Sequence, residues 1–331
     1  MNTINRRGLL AAGGGLAVAA TSGAAQAQTR WQVASAYPDG NFQTRNLRSF
    51  IEDVQTAAGG RLQLTLHSNA SLLRMPEIKR GVQTGQVQLG EIMLSAYGNE
   101  DPFFEVDSVP QLATTSDMAR KLATLRRPYV EARLQRQGLT MLYWVPWPPS
   151  GFYTNTPIDT LDALRGTKMR TFNVMTSRFA TLAGATPTLV QQAEVPQAFA
   201  TGVVNVMLTS AATGVDVQAW DFCRFFTPIG LSRTQNMVFV RQRDFAALPA
   251  DVQAAVRSAA ATAEERGWAA SDAEMVSQQA MLAQRGMTVS TPSPALMEGL
   301  ARIGAMQADE WVAKAGDDGR RLMEAYRASI A

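Results

Sequence analysis

Apolar and polar positions along the chain change period at regular intervals. Trp31 to Ala36 is a short apolar-rich run, followed by Tyr37, Pro38, Asp39 and Gly40, residues that favour a turn. Between Asn41 and Ala57, Leu47, Phe50, Ile51 and Val54 recur at helical spacing, and Gly59 and Gly60 stop them. Leu62 to His67 alternates at period two and predicts a strand. Pro76 to Thr84 predicts a short helix ended by Gly85, and Val87 to Leu94 a further strand. Such alternation of strand and helix predicts an α/β protein with largely parallel sheets.

A second block opens near Gly151. The pattern predicts a short helix at Ile158–Leu164, a strand from Lys168 to Arg170 and a helix at Thr176–Leu182. A strand at Thr186–Val190, a helical turn at Val195–Ala200 and a strand at Val203–Leu208 follow. Met237 to Val240 reads as a strand returning to the first block. The C-terminal part is helical. Val252, Val256, Ala259 and Ala263 share one face of a long helix running towards Gln284. Ser293 and Pro294 then form an N-cap and first helical position, with Leu296, Leu300 and Ile303 continuing the apolar face.

The N-terminus changes the picture of compartment. Arg6 and Arg7 precede a small apolar run from Leu9 to Ala20, and Ala25 and Ala27 flank an A-x-A cleavage site. This three-part pattern predicts a signal peptide over 1–27, with cleavage after Ala27 and export to the periplasm. The paired arginines fit either the twin-arginine or the general secretory route. Cys223 is the one cysteine of the chain, so no internal disulfide and no lipid attachment at the cleavage site are expected. The formal charge is +3 from 31 basic and 28 acidic residues. Loss of Arg6 and Arg7 leaves 29 against 28, and no cluster of Lys and Arg marks a nucleic-acid partner.

Enzyme chemistry finds little footing. His67 is the single histidine, Ser68 beside it points to the opposite face of a strand, and no G-x-S-x-G elbow occurs. One His and one Cys do not make a usual zinc site, and no phosphate loop follows the leader. A hydrolase is the weaker reading and no cofactor is expected.

Several short motifs occur in a particular order. Gly60 and Arg61 follow the first helix. Ser71, Leu72, Leu73 and Glu77 come next, with Gly81 and Gly85 bracketing the second helix, then Val109 and Pro110. Gly166, Lys168 and Arg170 form a G-x-K-x-R motif. Gly202 to Asn205 and Phe245 to Pro249 complete the series before the long helix. In this order they resemble the DctP-type substrate-binding proteins of tripartite ATP-independent periplasmic (TRAP) transporters, over essentially the whole chain after the leader. The resemblance implies a two-lobed periplasmic-binding-protein fold with hinge strands and a long helix spanning both lobes. Lobe I would comprise 28–150 with 236–278, and lobe II 151–235 with 279–331. The implied function is capture of a small organic acid and delivery to a membrane permease of a large and a small subunit, by a monomeric carrier that does no chemistry. The same fold would serve a ligand-sensing subunit of a receptor.

The resemblance also implies a site. Arg170 alone reads as an arginine at a strand end; its place in the motif makes it the partner of a ligand carboxylate, which a guanidinium meets with two charge-assisted hydrogen bonds. Thr209 and Ser210 stand where the family carries a ligand-touching asparagine, and equally fit an ordinary N-cap. Many family members carry a second arginine after a Gly-aromatic pair; here Tyr153 takes that position, which favours a monocarboxylate. Trp147, Tyr153 and Phe172, with Trp144 and Phe152, form an aromatic group suited to an aromatic or cyclic acid. Tyr37, Ser95, Tyr97 and Asn99 are expected to supply contacts from the other lobe.

Overall fold

The computed structural model describes residues 28–331; the predicted signal peptide lies outside the described residues. Two sheets organise the molecule. The first is built from β1 (Thr29–Ala34), β2 (Leu62–His67), β3 (Leu89–Met93) and β4 (Leu139–Pro146), interleaved with α1 (Phe42–Ala57), α2 (Met75–Thr84) and α3 (Ser116–Arg136). The second takes β5 (Ser150–Thr154), β6 (Lys168–Thr171), α4 (Val174–Leu182), β7 (Thr186–Leu189), α5 (Val195–Ala200), β8 (Val206–Ser210), α6 (Ala211–Asp216) and β9 (Phe225–Thr227). The chain then returns through β10 (Gln235–Arg241), α7 (Gln242–Ala246), α8 (Ala250–Gln284), β11 (Thr288–Val289) and α9 (Pro294–Ile330). The strand orders are β2-β1-β3-β10-β4 and β11-β9-β5-β8-β6-β7. β1 pairs in parallel with β2 and β3, and β6 with β7 and β8, whereas β10 and β5 are antiparallel to their neighbours. The fold is the two-lobed α/β architecture expected from the sequence.

Local chemistry explains the elements that carry the cavity. Asn41 caps α1 by accepting from Gln43 N, and Leu47, Phe50, Ile51 and Val54 bury its apolar face. At the end of α2 the backbone turns left-handed at Gly85 (φ 82°), a conformation that glycine adopts without a Cβ penalty. The predicted strand at Val203–Leu208 forms instead at Val206–Ser210, because Gly202 (φ 68°) prolongs the preceding turn and leaves Val203 exposed. Two elements carry no clear apolar period. α3 places the fully buried Arg126 within its inner face and Pro128 inside its length. β4 is apolar or aromatic on both faces. The predicted helix at Ile158–Leu164 is reduced to one 3₁₀ turn at Leu161–Leu164.

Two crossing segments join the lobes. Trp147 to Pro149 link β4 to β5, and residues 228–234 link β9 to β10. They run side by side: Trp147 N donates to Thr234 O (2.7 Å), and Leu231 N to Ser150 O (3.2 Å). Two long helices also bridge the lobes. Val252, Val256, Ala263 and Trp268 of α8 join the first lobe's core, and Leu282 joins the second's. Leu296, Leu300 and Ile303 of α9 pack in the second lobe, but Trp311, Leu322, Met323 and Tyr326 pack in the first. We therefore assign the later part of α9 to the first lobe rather than placing all of 279–331 in the second. A kink at Gly316 (φ 66°, ψ −146°) lets the helix turn back over that core.

Where β3 and β10 pair, the first lobe buries a carboxyl group without a cation. Glu91, 1% exposed, accepts from Ser35 Oγ at 2.6 Å and from Asn236 Nδ2 at 3.3 Å. Burial pushes it from the ordinary 4.5 to about 7, against the lowering effect of those two donors. Folding therefore takes up a proton here. The contribution to stability is complete below pH 4.5 and is lost as pH rises through about 7.

Two outcomes are expected. The melting temperature of the wild-type protein rises as pH falls from 8 to 6, and Glu91→Gln loses most of this rise; a wild-type melting temperature that falls over the interval overturns the assignment. In Gly304→Ala, a Cβ would drive into the backbone carbonyl of Pro110, where α9 passes between lobes. Overpacking against backbone outweighs the gain in helix propensity, so the variant should lose about 2 kcal/mol of stability in denaturant titration.

Candidate functional site

A cavity of about 320 Å³ lies between the lobes, at the small end of the range for ligand pockets. It is bounded by residues at the carboxyl ends of β1, β3, β6 and β8, where open α/β sheets bind ligands. Tyr37, Met75, Met93, Trp147 and Phe172 give it apolar walls. Ser150, Thr209, Ser210, Thr213, Thr234, Gln191 and Gln192 supply polar groups.

Arg170 is the buried cation of this cavity. It is the third residue of β6 and 4% exposed. Its Nε donates to Val190 O at 3.0 Å, and its guanidinium lies 5.5 Å from the Phe172 ring centroid. That single backbone bond fixes the plane of the fork. Among the described residues no carboxylate pairs with Arg170, and its terminal nitrogens make no hydrogen bond within the protein. Burial pushes it down to about 10, so it remains charged at neutral pH. Arg74 and Glu194 also border the cavity but are exposed, and Arg74 pairs with Glu77 at 3.2 Å.

Of the residues singled out from the sequence, the structure gathers Arg170, Thr209, Ser210, Phe172, Trp147 and Tyr37 around this cavity. Thr209 and Ser210 end β8. Ser210 Oγ accepts from Thr213 N at 3.3 Å, so it caps α6 while bordering the cavity. Among the described residues the Thr209 side chain has no hydrogen-bond partner, and it borders the cavity.

Four others lie outside the lining. Tyr153 is fully buried in the second lobe's core. It packs on Phe226 (centroids 4.6 Å apart), donates from Oη to Ser210 O (3.0 Å) and approaches Gly214. Every residue of β5 is buried, and its cavity edge is Ser150, three positions earlier. Tyr97 donates to Met75 O at 2.8 Å and so supports a lining residue from behind. Ser95 is fully buried and accepts from Asn173 Nδ2, and Asn99 is exposed. The 3₁₀ turn at Leu94–Tyr97 presents Ala96 to the cavity, while Ser95 and Tyr97 lie outside the lining.

Sequence reasoning missed Gln191, Gln192, Ser150, Thr213 and Thr234. The first two follow the end of β7, and the strand-end rule that selected Thr209 would have found them.

The lobes touch on both flanks of the cavity. On one flank Asn41 Nδ2 donates to Asp216 Oδ2 at 2.6 Å, and Gln192 Nε2 reaches the same oxygen at 2.8 Å. Burial pushes the Asp216 carboxyl up to about 6, with these two donors pulling it back. On the other flank Asn173 Nδ2 donates to Ser95 Oγ and Ser108 Oγ, each at 2.9 Å. The described state is thus closed, with Arg170 inside.

Comparison with known proteins identifies this arrangement. Residues 33–309 match the model of DctP, the bacterial extracellular solute-binding protein family 7. DctP7 of Bordetella pertussis, an extracytoplasmic solute receptor binding pyroglutamic acid, is 46% identical with a TM-score of 0.89 over 90% of this chain and 99% of its own. DctP6 of the same organism, also binding pyroglutamic acid, is 41% identical at the same TM-score over 91% and 100%. A TRAP solute-binding protein from a marine metagenome, solved with co-purified pyroglutamate, is 32% identical over 91% and 99%, TM-score 0.89. A solute-binding protein of Albidiferax ferrireducens is 23% identical over 68% of this chain and 69% of its own. Three of these relatives are solute receptors or solute-binding proteins that bind pyroglutamic acid or pyroglutamate, and the fourth is a solute-binding protein. No helix among the described residues is long and apolar enough to cross a membrane. The chain belongs to the DctP family of bacterial extracellular solute-binding proteins and is a TRAP solute receptor.

Proposed function

We propose that this protein captures a small, ring-shaped monocarboxylate, with pyroglutamate as the lead compound, and hands it to a two-subunit TRAP permease. It acts as an exported monomer after cleavage at Ala27. The observation that carries the reading is Arg170: a buried guanidinium, held at one nitrogen, with no protein carboxylate opposite it. A ligand carboxylate supplies the missing charge. One buried cation in the lining suits one carboxylate, so the preference for a monocarboxylate rests on Arg170 and no longer on Tyr153. The small volume and apolar walls favour a compact ring over an extended acid. The likeness to three pyroglutamate-binding proteins, at 46%, 41% and 32% identity, supports the same choice.

Glutamate provides a useful contrast. It is the open-chain counterpart of pyroglutamate and adds an ammonium and a second carboxylate. The one carboxylate bordering the cavity, Glu194, is exposed, so an ammonium would be desolvated without a close buried partner.

The test is a thermal-shift and calorimetric panel on protein stripped of bound ligand. Pyroglutamate at 100 times its dissociation constant adds about 2.7 kcal/mol and raises the melting temperature by several degrees. Arg170→Ala should weaken binding by about a hundredfold or more, and Arg170→Lys by about tenfold, because the ammonium lacks the fork. Wild-type protein should prefer pyroglutamate to glutamate by about tenfold or more. Unchanged affinity in Arg170→Ala would sink the assignment of the site, and a preference for glutamate would sink the choice of ligand.

A further inference from the structure

Tyr37 and Trp147 border the cavity, with ring centroids 5.1 Å apart and planes 59° to each other. Each ring system carries a polar hydrogen that a hydroxylated ligand would seek. Both hydrogens are already engaged. Tyr37 Oη donates to Asn236 Oδ1 at 3.2 Å, and Trp147 Nε1 donates to the same oxygen at 2.7 Å. Asn236 is 1% exposed, sits on the returning strand β10 and does not border the cavity.

The orientation of the Asn236 amide follows from a chain of donors and acceptors. An indole N–H only donates, so the atom it meets must be the amide oxygen. The amide nitrogen then faces Glu91 Oε1 at 3.3 Å, which accepts, while Ser35 Oγ meets the other carboxyl oxygen at 2.6 Å. The pattern survives protonation of Glu91, because a proton on Oε2 is donated to Ser35 Oγ and Oε1 still accepts.

We propose that Asn236 is a selectivity residue acting from outside the cavity. By engaging the hydrogens of the Tyr37 hydroxyl and the Trp147 indole, it leaves the ligand no free donor from these two rings, favouring a ring acid without hydroxyl groups over a polyhydroxylated sugar acid. The inference rests on reading the cavity as a carboxylate site. Its physical basis is that a hydroxyl oxygen brought to this wall loses water and finds no free donor on either ring. Glu91 acts as the positioning residue for Asn236, and neither touches the ligand.

The experiment measures dissociation constants for pyroglutamate and D-glucuronate, as probes, with the mature chain and its variants. Asn236→Leu keeps the branched outline of the side chain, at somewhat larger volume, but removes the acceptor, and Asn236→Ala is the smaller alternative should the leucine variant not fold. Either should lower the ratio of pyroglutamate to glucuronate affinity by about tenfold. The double variant Glu91→Gln with Asn236→Asp exchanges the amide and the carboxylate but keeps every donor opposite an acceptor. It should retain the wild-type ratio, as expected if an acceptor at position 236, and not the amide as such, sets the preference. The inference is overturned by an unchanged ratio in a folded acceptor-less variant. It is equally overturned by a lost ratio in the folded double variant, or by wild-type preference for glucuronate. Failure of the carboxylate reading shows separately, as wild-type protein that binds neither probe, and it removes this inference as well.

Discussion

A buried guanidinium with no protein carboxylate opposite it is the constraint on which this molecule turns. Taking an arginine out of water costs several kcal/mol unless an opposite charge and good hydrogen bonds meet it. At Arg170 the protein supplies a single backbone acceptor, Val190 O, and leaves the terminal nitrogens without a partner. The closed form is therefore incomplete by itself. On the function proposed above, a carboxylate entering between the lobes would remove the deficit, and burial against the first lobe would strengthen the pairing. Contacts to the same ligand from first-lobe residues such as Tyr37, Met75 and Met93 would be the ones made only on closure, which is the condition for a ligand to shift that equilibrium.

The remaining parts of the cavity assist this charge in different ways. Phe172 and the walls from Tyr37 and Trp147 exclude water and strengthen the electrostatic attraction. The groups that align those walls lie behind them, in Asn236, Glu91 and Ser35. Their placement on β3 and β10 and just past the end of β1 ties the cavity wall to the centre of the first sheet. The wall is thereby anchored to the first sheet through Asn236, although Trp147 itself lies in a crossing segment.

How much of this could be read in the sequence depended on distance along the chain. Local patterns gave the alternation of strand and helix, the first helix within Asn41–Ala57, the stop at Gly85 and the long helix running towards Gln284. Arg170 emerged because it sits in a five-residue motif at a strand end. Tyr153 had a comparable local signal, but β5 is buried on both sides, so spacing could not tell the face towards the cavity from the face towards the core. Helix α3 was hidden for a related reason: Arg126 occupies a core position, where its charge is balanced by Asp107 at 3.1 Å, and Pro128 imitates a breaker. Asn236 was beyond local reading altogether, since its partner Tyr37 lies 199 residues away.

The two flanking contacts explain why closure can remain conditional. Each consists of a few hydrogen bonds: Asn41 to Asp216 on one side, and Asn173 to Ser95 and Ser108 on the other. Such bonds contribute about 1 kcal/mol each net of the water they displace, more where a charge takes part. Their sum is of the same order as the penalty of holding Arg170 in the cavity unpaired. On the proposed function, a carboxylate paired with Arg170 would add to these contacts and favour the closed form. Larger flanking interfaces would hold the cavity shut when empty, and weaker ones would require the ligand to supply all of the closing free energy. Gln192 sharpens the arrangement, because it borders the cavity and bonds to the same Asp216 oxygen that receives Asn41. Occupancy of the cavity and contact between the lobes therefore share one side chain, and an event at either is felt at the other through a single carboxyl group.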